Sequence, residues 1–449
     1  MAQLRTDSIC VGEIEVKGTR KTKITYILRE LDFSPGSNFP HDSWLTRLEQ
    51  NEKRLLNTGL FFHVDIRESQ GADSCRNVEI LVREAGRLSL TPIVELADRN
   101  FNVWWEEKDH ILDRLNFRLT TRWSNMRGRN DYVRLSLQLG YTQKAELQYV
   151  LPFMNKFQKL GIGFGLLATR NKELYYATQE NRQLFRVFEN EYLLHRLRAQ
   201  TALYFRQKLY WTHTLTAEWN HFQINPYVRD SLNFNYLGGA LRQRFDALEY
   251  SVTFDNRNMI PYPEQGSYWK NALNKQGLFI TSGIDAFYFS SEWRHYYVLD
   301  TKWSATHSVH TRLGLQRKDL PYNNIRAIGF DETYIRGYDL YLIDGLDFAY
   351  IKNSLRYKIA DSEIDWGKWM PLEGWKRMPF RIYIVANGDL GYVNNPFNFE
   401  TNDFANRMLI GGGFGMDFVM YYSRVIRIEL STNHLLEPGI FLHYKFSIK

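Results

Sequence analysis

"YVRLSLQLGY", residues 132–141, places Val133, Leu135, Leu137, Leu139 and Tyr141 on one face of an extended chain and Arg134, Ser136 and Gln138 on the other. Side chains alternate across a strand, so this is a strand with one apolar and one polar face. The same period returns in "TLTAEWN" (214–220), where Leu215, Ala217 and Trp219 oppose Thr216, Glu218 and Asn220. It returns again in the final "FLHYKFSIK" (441–449), where Leu442, Tyr444, Phe446 and Ile448 oppose His443, Lys445 and Ser447. The pattern runs from about residue 88 to the last residue with no convincing long helix. A soluble sandwich of that span would break into domains. A closed barrel would not. Some 360 residues at roughly 22 per strand and turn give about sixteen antiparallel strands, an even number as bacterial barrels require. Ending on a strand lets the last strand meet the first and remove the edges.

Composition points the same way. Aromatics make up 15% of the 449 residues, with Tyr 28 against Trp 12. Mean hydropathy is nevertheless −0.44, and no run of apolar residues is long enough for a transmembrane helix. A membrane barrel combines these features because every second strand residue faces the lumen; a soluble all-β sandwich gives similar totals. The net charge of +7 would suit anionic lipid or nucleic acid, but the basic residues are scattered and form no block. Lys17, Arg20, Lys21 and Lys23 crowd one early turn; a solvated face is the default, with anionic headgroups or a partner protein as the alternative. The opening "MAQLRTDSIC" has no apolar h-region, so an export signal is expected to be absent from this chain.

Residues 8–86 read as a separate compact unit of order β-α-α-β-β. "ICVGEIEVKG" is a strand stopping at Gly18, and "TKITYILREL" spaces Ile24, Ile27, Leu28 and Leu31 as a helix. "DSWLTRLEQNEKRLLNTG" is a second helix, capped by Asp42 or Ser43, striped by Leu45, Leu48, Leu55 and Leu56, and stopped by Gly59. "LFFHVDIRE" and "RNVEILVRE" are two short strands. Cys10 and Cys75 both fall in this unit: an oxidising compartment would let them pair, and two unpaired, packed thiols remain the alternative.

Chemistry-bearing motifs are scarce. "LGIGFG" (160–165) and "IGGGFGMD" (410–417) open no helix in a βαβ unit, so they fit strand bends and close backbone approach rather than phosphate binding. Asp361, Glu363 and Asp365 read as a solvated loop rather than a metal site. No Cys/His spacing suggests zinc. No catalytic residue, cofactor site or metal site is expected, and no nucleic-acid partner.

"KRLLNTGLFFHVDIRE" (53–68), where a helix ends at Asn57-Thr58-Gly59 and runs straight into Leu60-Phe61, resembles a POTRA domain. "GEIEVKGTRKT", with Gly18, is similar to that family's opening strand and turn, and "VEILVRE" to its closing strand. "FDNRNMIPYPEQGSYWK" is similar to the Asp-x-Arg, then Pro-x-x-Gly, segment of the Omp85 superfamily, at Asp255, Arg257, Pro263 and Gly266. "IGFDETYIRGYDLYLIDG" (328–345) resembles the superfamily's Val-Arg-Gly-Tyr loop, with Ile335 in the valine position before Arg336, Gly337 and Tyr338. "NGDLGY" supplies the matching acid, Asp389, followed by Gly391; Asn387 stands where the family often has an aromatic. The resemblance covers essentially the whole chain, in its BamA/TamA-like form with a single POTRA domain. It implies a POTRA domain at 8–86, an outer-membrane barrel at 87–449, and a loop folded into the lumen with Arg336 held by Asp389. Independently of the family, a lumenal arginine needs a carboxylate, and a planar guanidinium can grip one in two places.

The implied function is assembly or insertion of other barrel proteins, with client polypeptides captured at the POTRA domain and inserted or translocated at the barrel seam. The capturing sheet edge would come from 60–68 or 8–17, and the seam from strands at about 88–96 and 440–448, the latter weakened at its start by Pro438 and Gly439. A dedicated secretion pore of the two-partner type is the alternative. That type usually carries two POTRA domains and a plug helix, for which residues 1–8 are too short. A passive porin or scaffold is a third class, and would have no use for a POTRA domain or a buried arginine loop. The expected partners are outer-membrane lipids, unfolded or extended client polypeptides, and periplasmic or lipoprotein accessory subunits. The POTRA domain would face a bacterial periplasm, and an organellar relative would share these motifs.

Overall fold

The computed structural model describes residues 8–70, 75–96, 104–105, 114–188, 190–281, 283–330, 333–370, 376–397, 402–421 and 424–446. Asp331 and Glu332 of the arginine loop, and Ser447 and Ile448 of the final strand pattern, lie outside them.

The amino-terminal unit comprises β1 (Ser8–Lys17), α1 (Ile24–Arg29), β2 (Asn38–Pro40), α2 (His41–Asn57), β3 (Phe61–Gln70) and β4 (Arg76–Glu84). Its sheet has the order β2-β1-β4-β3, with β1 and β4 parallel. The extra strand, β2, is three residues long, too short for any period to register in the sequence. Because β2 runs directly into α2, the helix begins at His41 after Pro40, whose fixed φ suits helix entry. Neither Asp42 nor Ser43 caps it; the Ser43 hydroxyl instead donates back to the Pro40 carbonyl (3.0 Å). The buried face also differs from the expected stripe. Trp44, Leu48, Asn51 and Leu55 point inward, while Leu45, expected in the core, is 68% exposed. In α1, likewise, Tyr26 and Ile27 are buried and Ile24 is exposed.

Gly18, at φ +88°, turns the chain after β1 where a Cβ would strike the Val82 carbonyl at 2.1 Å. Gly59, at φ +72°, ends α2, and Leu60 and Phe61 then enter the core. Cys10 and Cys75 are disulfide-bonded across 65 residues, a closure worth roughly 4 kcal/mol in the chain-entropy account.

Sixteen antiparallel strands follow. They are β5 (Leu88–Leu96), β6 (Leu115–Ser124), β7 (Tyr132–Gly140), β8 (Thr142–Leu151) and β9 (Leu160–Asn171), then a side hairpin of β10 (Glu173–Gln179) and β11 (Arg182–Val187). The main sheet resumes with β12 (Leu194–Arg206), β13 (Trp211–Ile224), β14 (Arg242–Asp255), β15 (Gly266–Thr281), β16 (Ala286–Val298) and β17 (Trp303–Gly314). A long connection holding the short pair β18 (Arg326–Ile328) and β19 (Ile343–Asp344) leads to β20 (Asp347–Asp365), β21 (Arg377–Asn394), β22 (Met408–Met420), β23 (Arg424–Asn433) and β24 (Pro438–Phe446). Among the described residues, hydrogen-bonded order runs from β24 to β5 and no ladder joins those two ends.

Burial is inverted relative to a water-soluble protein. In β7, Leu135, Leu137 and Leu139 are exposed whereas Ser136 and Gln138 are buried. The apolar face is the lipid side and the polar face lines the lumen. Aromatic rings cluster at the end of the barrel nearer the amino-terminal unit: Trp211 against Phe254 (5.0 Å) and Trp269 (6.2 Å), and Trp303 against Tyr357 (4.8 Å). Such girdles sit at headgroup level. The glycines of β9 make room inside: Tyr204 and Gln200 of β12 lie over Gly163 and Gly165. Asp361, Glu363 and Asp365 are strand residues at the end of β20 rather than a loop.

The rotated face of α2 has a direct test. Trp44→Ala should destabilise the amino-terminal unit by about 3–5 kcal/mol, and Leu45→Ala by no more than about 0.5 kcal/mol. Pulse proteolysis in a urea series reads both, with heat-modifiable mobility reporting on the barrel. Equal losses would mean that the helix presents a different face.

Candidate functional site in the barrel lumen

The connection between β17 and β20 folds back against the inner wall, and Arg336 is its buried anchor. One guanidinium nitrogen, Nη1, donates to Asp389 Oδ1 at 2.7 Å, and the Arg336 backbone N–H donates to the other carboxylate oxygen at 3.1 Å. Asp389 is thus held at two points, but by one side-chain and one main-chain donor rather than by a guanidinium fork. The rest of the guanidinium serves other strands. Nη2 donates to Ser354 Oγ (3.1 Å), Nη1 also reaches the Asn353 carbonyl (3.2 Å), and Nε lies 3.4 Å from Glu429. Arg336, Asp389 and Glu429 are all buried.

The wall around them is polar by strand period. Lys352, Ser354 and Arg356 alternate inward on β20, Asn387, Asp389 and Gly391 on β21, and Arg427, Glu429 and Ser431 on β23. Asn387, the departure from the family pattern, accepts from Ser354 Oγ (2.7 Å) and donates to Glu429 (3.0 Å). An aromatic ring there could not make these bonds. Lys352 lies 3.8 Å from Asp389, donates to the Tyr334 carbonyl (2.9 Å) and sits 3.5 Å above the Tyr334 ring. Tyr334 stacks on His443 of β24 (5.1 Å), and His443 faces Asp339 at 3.5 Å. The loop therefore touches the last strand as well as β20, β21 and β23. Tyr338 is fully buried; its hydroxyl donates to the Ile410 carbonyl (3.3 Å), accepts from the Ile410 N–H (3.2 Å) and meets His434 Nδ1.

Glycine makes this approach sterically feasible. Gly337 has φ +81°, and a Cβ on it would meet the Thr432 carbonyl at 2.5 Å. On the wall, a Cβ at Gly411 would lie 1.8 Å from the Arg336 carbonyl oxygen, and one at Gly391 would lie 2.2 Å from Ile335. The sequence singled out Gly337 and Gly391 for this site. It placed Gly411 in a strand of close approach without saying what approaches, and it missed Lys352, Ser354 and Glu429. The inward period of β20 and β23 is the signal that could have found them.

The second motif lies elsewhere. Asp255 and Arg257 form a two-point ion pair (2.8 and 2.7 Å) that opens the turn 256–265 between β14 and β15. Gly266 closes it at φ +106°. Inside the turn, Tyr262 donates to Asp417 (2.8 Å), the Pro263 carbonyl accepts from Arg356 (2.8 Å), and Glu264 accepts from Tyr383 (2.7 Å). Asp417 is also gripped twice by Arg427, at 2.7 Å each. Asn57, at the end of α2, clasps the same turn, donating to the Asn258 carbonyl (2.9 Å) and accepting from the Ile260 N–H (3.1 Å).

Further contacts fix the amino-terminal unit to this rim. Glu30 takes both terminal nitrogens of Arg206 (2.7 and 2.9 Å), and the Lys23 N–H donates to the Gly128 carbonyl (2.9 Å). Phe153 of the β8–β9 turn packs into the unit's core beneath the Arg29 guanidinium, 3.4 Å away. Burial, and then the nearby Arg206 charge, push Arg29 down to about 10.

An antiparallel sixteen-strand barrel, plugged on one wall by an arginine loop and braced below by a β-α-β-α-β-β unit, defines a class of outer-membrane protein. Residues 125–350 match the Omp85 superfamily domain, and residues 9–85 match the POTRA family, described as a surface antigen variable number repeat. The chain belongs to the Omp85 superfamily. The fold is similar to that of BamA from Haemophilus ducreyi lacking POTRA domains 1–3, at 12% identity and TM-score 0.54 over 98% of this chain and 84% of that one. It is also similar to CdiB from Escherichia coli (11%, TM-score 0.57, 97% and 75%) and CdiB from Acinetobacter baumannii (12%, TM-score 0.51, 97% and 73%). A search of curated proteins returned no match.

Two predictions follow from the geometry. Arg336→Ala and Asp389→Asn should each cost about 3–5 kcal/mol of loop anchoring, the scale for breaking a buried ion pair. The double variant should be little worse than either single one. Protease access to the loop reads this, with heat-modifiable mobility as the folding control, and strict additivity would mean that the two residues do not interact. Gly411→Ala should expose the loop to protease in the same assay. Gly388→Ala, whose Cβ meets nothing within 4 Å, should not.

Proposed function

We propose that this protein is an outer-membrane barrel assembly factor, which captures client polypeptides at its POTRA domain and inserts or translocates them at the seam between β5 and β24. The observation that carries the reading is that seam. The described parts of β5 and β24 run nine residues each, as β7 does, against 13 for β22 and 19 for β20, and both contain a proline, Pro92 and Pro438. Proline is what edge strands display. A client strand pairing with either edge would satisfy backbone groups that lipid cannot.

The POTRA sheet supports the same reading. β3 (Phe61–Gln70) is the edge that ends the sheet, and β2 covers β1 only at Ser8–Cys10, so capture by strand addition is assigned to 61–70 first and to the remainder of 8–17 second. Phe62 and His63 are exposed on that edge. The contacts of Glu30 and Asn57 with the barrel rim hold the edge at a fixed place relative to the lumen mouth. Periplasmic or lipoprotein accessory subunits and outer-membrane lipids complete the proposed partners.

Depletion followed by quantitative proteomics of outer membranes tests the proposal. A broad fall in unrelated β-barrel proteins is the expected result. Loss of one secreted or surface protein with other barrels intact would overturn it in favour of a dedicated secretion pore.

A further inference from the structure

The β20–β21 pair outruns its neighbours. β17 pairs with β20 only as far as Trp303–Tyr357, and β22 follows β21 only to Phe380–Met420. The two long strands stay paired with each other from Ala360–Ile382 to Asp365–Arg377, past a register shift between Lys358 and Ala360. On the β17 side β20 runs free after Lys358, whose N–H still donates to the Lys302 carbonyl, and beyond the last β21–β22 rung the pairs from Glu363–Pro379 to Asp365–Arg377 carry the ribbon roughly 10 Å further at strand rise. They do so on the POTRA side, because Arg381 lies 3.9 Å from Glu264 in the turn that Asn57 clasps. Turns on this side of bacterial barrels are ordinarily short, so a ribbon of this length calls for a role.

Its two faces differ. One is charged and pairs within itself: Asp361 with Lys358 (3.2 Å) and Arg381 (3.3 Å), and Glu363 with Arg377 (3.5 Å). The other continues the lipid-facing row of Leu355 and Ile384 through exposed Ile359 and half-buried Ile382 and Phe380, and ends at Met378, which is buried. The tip carries Trp366 and Trp369, with exposed Lys368 between them, and Trp369 is 91% exposed. An indole left so bare has apolar area to lose from water. The ring pair Trp303–Tyr357 stands at headgroup level, and the register shift, a place where strands bend, comes immediately after it.

We infer that the ribbon 358–369 and 376–382 is an interfacial anchor, which lies with its apolar face and tryptophan tip in the phospholipid headgroup region of the periplasmic leaflet. Continuity with the barrel's lipid band selects lipid as the occupant. The charged face, already neutralised by its own pairs, has little left to recruit a charged protein. The inference stands whether or not clients are inserted at the seam.

Both native cysteines are engaged in the disulfide, so one added cysteine can be labelled alone. Trp369→Cys, Asp361→Cys and Leu355→Cys in the full chain would carry an environment-sensitive fluorophore in phosphatidylethanolamine–phosphatidylglycerol vesicles containing lipid spin-labelled near the glycerol. Amphipathic elements settle about 5–10 Å into the interface, so labels at 369 and 355 should lose about half or more of their emission and the label at 361 far less. Quenching of position 369 by aqueous iodide, with none by the spin-labelled lipid, would overturn the inference. So would shielding of 369 that arises only on adding an extended polypeptide, which would make the ribbon a protein-docking strand. Heat-modifiable mobility verifies that each variant is folded.

Discussion

The contact between Arg336 and Asp389 fixes more of this molecule than any other. A guanidinium on the inner wall, away from bulk water, must be neutralised. Asp389 is held at once by its side chain and by the backbone of the same residue. That double hold sets the height and rotation of the loop, and the loop's remaining contacts follow from it. Tyr338 reaches β22, Glu429 of β23 sits behind Nε, and Tyr334 with Asp339 meets His443 on β24. One ion pair thereby ties together the five strands before the seam.

The other half of the barrel is held from below. Glu30, Lys23 and Phe153 link the POTRA domain to the turns among β6–β9 and β12–β13. The two fixtures meet at the turn 256–265. Asn57 holds it from the POTRA side, and Asp417, Arg356 and Tyr383 hold it from the lumen wall. The Asp-x-Arg and Pro-x-x-Gly residues shape this turn without making most of its contacts. The outward reach comes from Tyr262 and the main chain.

Much of this was legible in the sequence because it is periodic or local. Period two gave the barrel and its sixteen strands, and the helix-to-strand junction at Gly59 gave the POTRA domain. Arg336 and Asp389 could be paired because each sits in a recognisable short motif. What escaped is non-local or set by a small shift of phase. The choice between Trp44 and Leu45 depends on which side of α2 meets the sheet, and the leucine spacing alone leaves that open. Glu30 and Arg206 are 176 residues apart, with nothing in either neighbourhood to suggest the other. Asn387 departs from the family's aromatic, and the partners that account for it, Ser354 and Glu429, lie 33 and 42 residues away. The unusual length of β20 and β21 was hidden because "ADSEIDWGKW" is polar enough to pass for a turn.

The arrangement also explains how a seam can exist without weakening the rest. Opening a closed barrel ordinarily exposes two full rows of backbone groups to lipid, each costing several kcal/mol. Here the described parts of the two strands concerned are nine residues each. The strands behind β24 are cross-tied by the loop network, and those behind β5 rest on a docked domain. The Arg336 network and the POTRA contacts lie behind these two end strands, with one exception. His443 is part of β24 itself, and its stack on Tyr334 and its approach to Asp339 bring the loop into direct contact with the last strand.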